Sequence, residues 1–332
     1  MLNLSSISSF LVEERVYSLS EAAAYCRRKT WGHYENFSVA SFLLPRELRV
    51  PMEAVYSYCR HADDLGDEND GSEIARMQSI EKLNQWEREL NLCFDYAQSD
   101  LNELPIMHPI FVALIDVIRK FHLSKEPFTD LLIAFRQDQI KRRYESTDEL
   151  LSYCCNSANP VGRIVLHLAF VVEKQRMAGV KTSVELSSDI ADSSGEIRIS
   201  QEVLTLSDYI CTGLQLANFW QDIKRDLAIG RCYIPRDVAS KYGVDIENLG
   251  YDTEFRLMMK ELVEDAREKI LAGLPLLSEV PKLIKFNISL IIRGGLAILD
   301  GIKKIEYNVL NQRPIVSGLK KLTIAFKAFF SG

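Results

Sequence analysis

The 332-residue chain is 47% hydrophobic, enough for a substantial core in two average domains or one large helical one. A net charge of −6 argues against general nucleic-acid binding, which needs a basic surface, but admits an anionic substrate whose charge a divalent metal offsets. Seven cysteines without a CxxC pair make no disulfide framework, so reduced thiols in a cytosolic protein are expected, most of them small core fillers.

The N-terminus lacks the basic start and long apolar run of a secretory signal. No stretch reaches the roughly 18 apolar residues that span a bilayer. The expectation is a soluble cytoplasmic protein, at most peripheral at the inner face of a membrane. Ser18-Leu19-Ser20-Glu21 has the spacing of a capping box at a helix start. The polar cluster His33-Tyr34-Glu35-Asn36-Phe37 precedes an apolar run ending at Pro45.

Residues 48–65 read as a helix carrying the stretch Tyr56-Ser57-Tyr58-Cys59-Arg60-His61-Ala62-Asp63-Asp64-Leu65-Gly66-Asp67-Glu68, whose end enters a polar, turn-like region over 66–72. At about 100° per residue, Tyr56, Arg60, Asp63 and Asp67 share one stripe, with Asp64 at its edge. An amphipathic helix follows over 79–96, an apolar one over 110–121, and one with a basic end over 129–144. Residues 148–155 lead into Ser157-Ala158-Asn159-Pro160-Val161-Gly162-Arg163, where proline and glycine predict a break before the apolar run IVLHLAFVV. His167 within that run reads as a satisfied core histidine.

Residues 178–200 are rich in Ser, Asp, Glu and Gly without periodicity and read as a mobile loop or insertion. Residues 207–227 resume a strong helix on which Gln215, Asn218, Asp222 and Asp226 line one face, beside Arg225. Leu216, Phe219, Trp220, Ile223 and Leu227 form its apolar flank, and the segment Gly230-Arg231-Cys232-Tyr233-Ile234-Pro235 follows. Long amphipathic helices are expected over 254–277 and 285–310, then Arg313-Pro314. Residues 315–332 alternate lysine with apolar residues: a terminal amphipathic helix docked on the bundle, with an interfacial helix on a membrane as the alternative. No strand-rich, βαβ, P-loop or zinc pattern interrupts the helices, and a single all-α domain over 1–332 is expected.

Two helices about 160 residues apart thus each display carboxylates one turn apart. Crowded carboxylates need compensation, and facing helices of a bundle can hold metals between such stripes. Mg²⁺ suits this role, because it prefers oxygen and bridges carboxylates to phosphates. Arg60, Arg225, Arg231 and Arg313 are candidates to grip diphosphate oxygens, and the chemistry that follows is ionisation. The cation left behind needs an apolar, aromatic pocket, for which Phe37, Phe42, Tyr56, Phe219 and Tyr233 lie nearest in sequence.

YSYCRHADDLGDE, QLANFWQDIKRD and GRCYIP together resemble the squalene and phytoene synthase family of head-to-head prenyl synthases, from about Tyr17 to Pro314. The resemblance implies an all-α isoprenoid-synthase helical bundle with a central apolar cavity, a prenyl diphosphate substrate and two or three Mg²⁺ ions. By position it implies metal binding by Asp63, Asp64, Asp67, Asp222 and Asp226, and substrate binding by Arg60, Gln215, Asn218, Arg225, Arg231, Tyr233 and Arg313. Tyr56 matches the tyrosine ahead of the first motif.

The departures are specific. His33-Tyr34-Glu35-Asn36-Phe37 stands where many members have His-Ser-x-Ser-Phe, and the Ser157–Gly162 segment where many have Val-Ala-Gly-x-Val-Gly. Both are similar to the hydroxysqualene synthase branch, which ionises presqualene diphosphate, opens its cyclopropane and captures the cation with water. That implies no NAD(P)H, functional coupling to a presqualene diphosphate synthase, and a water oriented by Asn159 or His33, with Asn36 a further amide. The rival readings are a squalene or phytoene synthase condensing two allylic diphosphates, a non-catalytic scaffold relative, and a metal-binding bundle without turnover.

Overall fold

A computed structural model describes residues 15–32, 44–67, 72–101, 105–179 and 197–314. The elements among the described residues are all α-helices, as expected, and fall into two compact units. His33, Asn36, Phe37, Phe42, most of the 178–200 loop and the 315–332 helix lie outside the described residues.

The first unit lies within Met1–Gln139 together with His167–Gln175. It contains α1 (Leu19–Gly32), α2 (Arg46–Asp67), α3 (Glu73–Gln98), α4 (Pro109–Phe121) and nearly all of α5 (Glu126–Ile140). The expected capping box starts α1: the Ser18 N–H donates to Glu21 Oε2 at 2.9 Å, and the Glu21 N–H to Ser18 Oγ at 3.3 Å. Tyr58 and Ala62 of α2 are fully buried, and this turns the stripe with Arg60 and Asp63 away from the core. Tyr58 packs among Trp86, Phe111 and Phe128, and its hydroxyl donates to the Phe128 carbonyl at 3.2 Å. The His167 ring contacts the Phe121 carbonyl at 2.7 Å, as a satisfied core histidine should.

The second unit lies within Ile140–Leu166 and Arg176–Gly332. It includes α6 (Thr147–Ser157), the start of α7 (Asn159–Gly179), α8 (Gln201–Ala228), α9 (Arg236–Tyr242), α10 (Thr253–Ala272), α11 (Leu276–Glu279) and α12 (Lys282–Lys304). Leu216, Trp220 and Ile223 of α8 are buried, and α8 packs against α6, α10 and α12. The break before the apolar run falls at Ala158, between α6 and α7.

Three helix ends differ from expectation. The helix expected to reach Tyr144 stops at Ile140, because Arg142, Tyr144 and Glu145 offer their carbonyls to the N–H groups of Cys232, Arg236 and Asp237. The helix expected over 254–277 ends at Ala272, and Gly273 and Pro275 separate it from the short α11. The last long helix stops at Lys304 and not Leu310. Glu306 and Tyr307 take left-handed φ of 53° and 64°, and the Tyr307 N–H closes the end onto the Ile302 carbonyl at 2.9 Å. Among the described residues no helix is long and apolar enough to cross a membrane. All seven cysteines are free; Cys26, Cys93, Cys154 and Cys232 are buried as expected, whereas Cys155 is exposed.

Candidate active site

The last two turns of α2 carry the first acidic stripe. Asp64, its side chain only 13% exposed, meets Arg60 Nη2 at 2.7 Å on one oxygen and Lys29 Nζ at 3.0 Å on the other. Asp63 is more open at 35%, and Arg60 Nη1 donates to it at 3.0 Å. Asp67 is exposed. Like-charged carboxylates on one helix face repel, and the two cations offset that repulsion. Lys29, from α1, went unrecognised in the sequence: it stands 35 residues from Asp64 in a basic stretch that reads as solvated surface. Tyr56 is half-buried, and burial pushes its phenol above the ordinary value.

Behind the stripe, the His61 ring lies 4.4 Å from Trp86 and 5.1 Å from His108, centroid to centroid. Burial, reinforced by Lys29 at 3.5 Å, lowers His61 to about 4. This imidazole is therefore neutral at ordinary pH and adds no charge to the stripe.

On α8, Asp222 is gripped by a guanidinium fork: Arg313 Nε donates to Oδ1 at 2.5 Å and Nη2 to Oδ2 at 3.1 Å. Arg225 reaches Asp222 only at 3.9 Å and is 68% exposed, a loose contact that solvent screens. The reason Arg313 arrives at this place is Gln221. Its buried amide donates to the Pro314 carbonyl at 2.6 Å and ties the chain after α12 to α8. Gln221 was not a sequence candidate. Gln215 is half-buried and Asn218 exposed, beside buried Leu216, Phe219 and Trp220.

The turn after α8 presents Arg231 and Tyr233. Gly230 takes φ of +77°, which a glycine allows without strain. Arg142 donates to the Ile229 carbonyl at 2.6 Å, and Arg143 to the Gly230 carbonyl at 2.9 Å. These two arginines of the extended connector thus hold the turn in shape. The Arg231 N–H returns to the Asp226 carbonyl at 2.8 Å. Tyr233 stacks on Phe219 at 3.9 Å with an interplanar angle of 8°, and Tyr144 and Tyr153 extend the aromatic wall.

Asn159 opens α7 and is 4% exposed, and its Oδ1 accepts a hydrogen bond from Thr212 Oγ1 of α8 at 3.0 Å. Two residues earlier, the buried Ser157 hydroxyl has no hydrogen-bond partner among the described residues. A buried polar atom of this kind calls for a water or a ligand group.

Among the described residues no three carboxylate, histidine or cysteine side chains gather into a closed metal cage. Mg²⁺ does not need one, because it takes one or two carboxylates and fills its octahedron with phosphate oxygens and water. Each stripe offers that donor set, and each already balances its charge with cations, so the residues fit such an ion.

The sequence pattern of the squalene/phytoene synthase family matches residues 31–320. The chain is 28% identical over 308 residues to the phytoene synthase of Arthrospira platensis, covering 91% of each. It is 31% identical over 274 residues to the hydroxysqualene synthase of Sinorhizobium fredii, covering 81% of this chain and 80% of that one. The crystal structure of squalene synthase HpnC from Alicyclobacillus acidocaldarius is similar at a TM-score of 0.71 and 34% identity, over 87% of this chain and 95% of the other. With its all-α isoprenoid-synthase fold and a sequence match over most of its length, the chain belongs to the squalene/phytoene synthase family.

Proposed function

We propose that this protein ionises presqualene diphosphate and captures the cation with water, giving hydroxysqualene and diphosphate. The observation that carries the reading is the buried Asn159 at the α6–α7 break, an amide where the family pattern has glycine. The 31% identity to a hydroxysqualene synthase supports it.

The carbon–oxygen bond to diphosphate breaks, and its electron pair leaves with the diphosphate. Arg60, Arg231 and Arg313 grip the leaving oxygens, with Arg225 at the rim. Two or three Mg²⁺ ions held by Asp63, Asp64, Asp67, Asp222 and Asp226 would supply the remaining charge neutralisation. Gln215 and Asn218 add amide hydrogen bonds beside the second set. The aromatic wall of Phe219 and Tyr233 offers π faces to the cation. Cyclopropane opening shifts the positive charge to the carbon that water attacks. The water oxygen forms the new bond and its proton passes to the departed diphosphate, so no reductant is consumed.

The second reading is head-to-head condensation of two allylic diphosphates, favoured by the 28% identity to a phytoene synthase over 91% of the chain. One assay separates the two. With presqualene diphosphate, Mg²⁺ and ¹⁸O-water, the expected product is a C30 alcohol carrying the label. A hydrocarbon formed from farnesyl or geranylgeranyl diphosphate, with no labelled alcohol, would replace this reading with condensation.

A further inference from the structure

Asn159 is joined to α8 by more than one tie. Three residues on, α7 and α8 touch so closely that a Cβ on Gly162 would lie 2.6 Å from both Cys211 Sγ and Ser207 Oγ. The next residue, Arg163, forks onto Asp208 at 2.7 and 3.2 Å. The Cys211 and Ser207 side chains seated on Gly162 and a charged pair therefore set the spacing of the two helices there. The Asn159–Thr212 hydrogen bond is not needed to hold them together.

That bond does something narrower. A primary amide has an oxygen that accepts and a nitrogen that donates twice, and an amide without an anchor swings about its side-chain torsions. With Oδ1 held by Thr212 at 3.0 Å, the place of the whole amide group is fixed relative to α8. Thr212 is 9% exposed, a position where valine would fill the same volume without burying a hydroxyl.

We infer that Thr212 is a positioning residue for water capture: its hydroxyl anchors the Asn159 amide and so sets the share of cation that becomes alcohol. The inference rests on the reading of Asn159 given above. The amide nitrogen donates to one lone pair of the water and leaves the other for the cation. Carbon–oxygen bond formation then releases a proton to diphosphate. With the amide unanchored, the water loses its orientation, and the cation is lost to competing proton elimination, again with diphosphate as acceptor.

The test measures the ratio of ¹⁸O-labelled alcohol to hydrocarbon formed from presqualene diphosphate by wild type, Thr212→Val and Thr212→Ser. The ratio is internal to each reaction, so a variant that merely folds less well loses turnover and keeps the ratio. Thr212→Val should lower it roughly three- to tenfold, the factor one neutral hydrogen bond supports, and Thr212→Ser should restore it. Thr212→Ala removes the hydroxyl without branching if the valine variant does not fold. A wild-type ratio in the hydroxyl-free variant overturns the role of Thr212 while leaving water capture intact. Absence of labelled alcohol from the wild type overturns the underlying reading, and the inference with it.

Discussion

His108 shows how one buried side chain couples stability to pH. It caps α4, its Nδ1 accepting the Ile110 N–H at 3.2 Å, and only a neutral ring can do this. It is 2% exposed and faces His61 of α2, Tyr25 and Lys29 of α1, and Trp86 of α3. Burial, then the neighbouring His61 and Lys29, lower its pKa from 6.5 to about 3. The folded state therefore resists a proton that the unfolded chain accepts. Stability from this group is complete above pH 6.5 and is lost progressively as pH falls towards 3. Denaturant titrations at pH 7, 5.5 and 4.5 should show that decline in the wild type. His108→Asn, which can still cap but does not titrate, should have a shallower slope. Some slope persists through His61, which is lowered to about 4. Nothing in the periodicity of α2 or α4 announces this imidazole pair, because it forms only when the two helices pack.

At the scale of the element, α8 is where local pattern and tertiary demand agree best. Its polar stripe and apolar flank follow from the helical period, so Asp222 and Asp226 on one side and Leu216 and Trp220 on the other were legible in the sequence. Its close neighbours were not. A Cβ on Gly213 would lie 2.9 Å from both the Ala266 carbonyl oxygen and the Ile270 nitrogen of α10. Those are backbone atoms and cannot swing aside. Gly213→Val should therefore destabilise the fold by about 1–3 kcal/mol, seen as a lower midpoint in urea unfolding. The helix ends show the same limit. The stop at Ile140 depends on carbonyls bonding to Cys232 and beyond, a pairing no local rule contains.

At the scale of the whole molecule, each compact unit carries one acidic stripe, and in each the charge is already met by arginine or lysine. A ligand that brings both anion and metal can exchange with these pairs without leaving either sign bare. Mg²⁺ and inorganic diphosphate together should raise the melting temperature by roughly 4 °C at a hundredfold excess over Kd. Either alone should do less, because metal alone competes with the arginines and diphosphate alone repels the carboxylates. Differential scanning fluorimetry with each ligand singly and combined checks this, and equal shifts from Mg²⁺ alone would argue for a simple metal bundle.

Residue order alone was sufficient for the all-α class, the family, the two acidic stripes and the break at Ala158. Each depends on interactions within about one helical turn, or on motifs contiguous in the chain. Lys29, Gln221 and Thr212 became visible only in three dimensions. Their partners stand 35, 93 and 53 residues away, and nothing local distinguishes a lysine, amide or hydroxyl that will meet one from one that will face water. On the reading proposed above, the acidic motif names a leaving group. Which residues orient what surrounds it was decided by packing, since burial and a fixed partner are what turn a common polar side chain into a directed one.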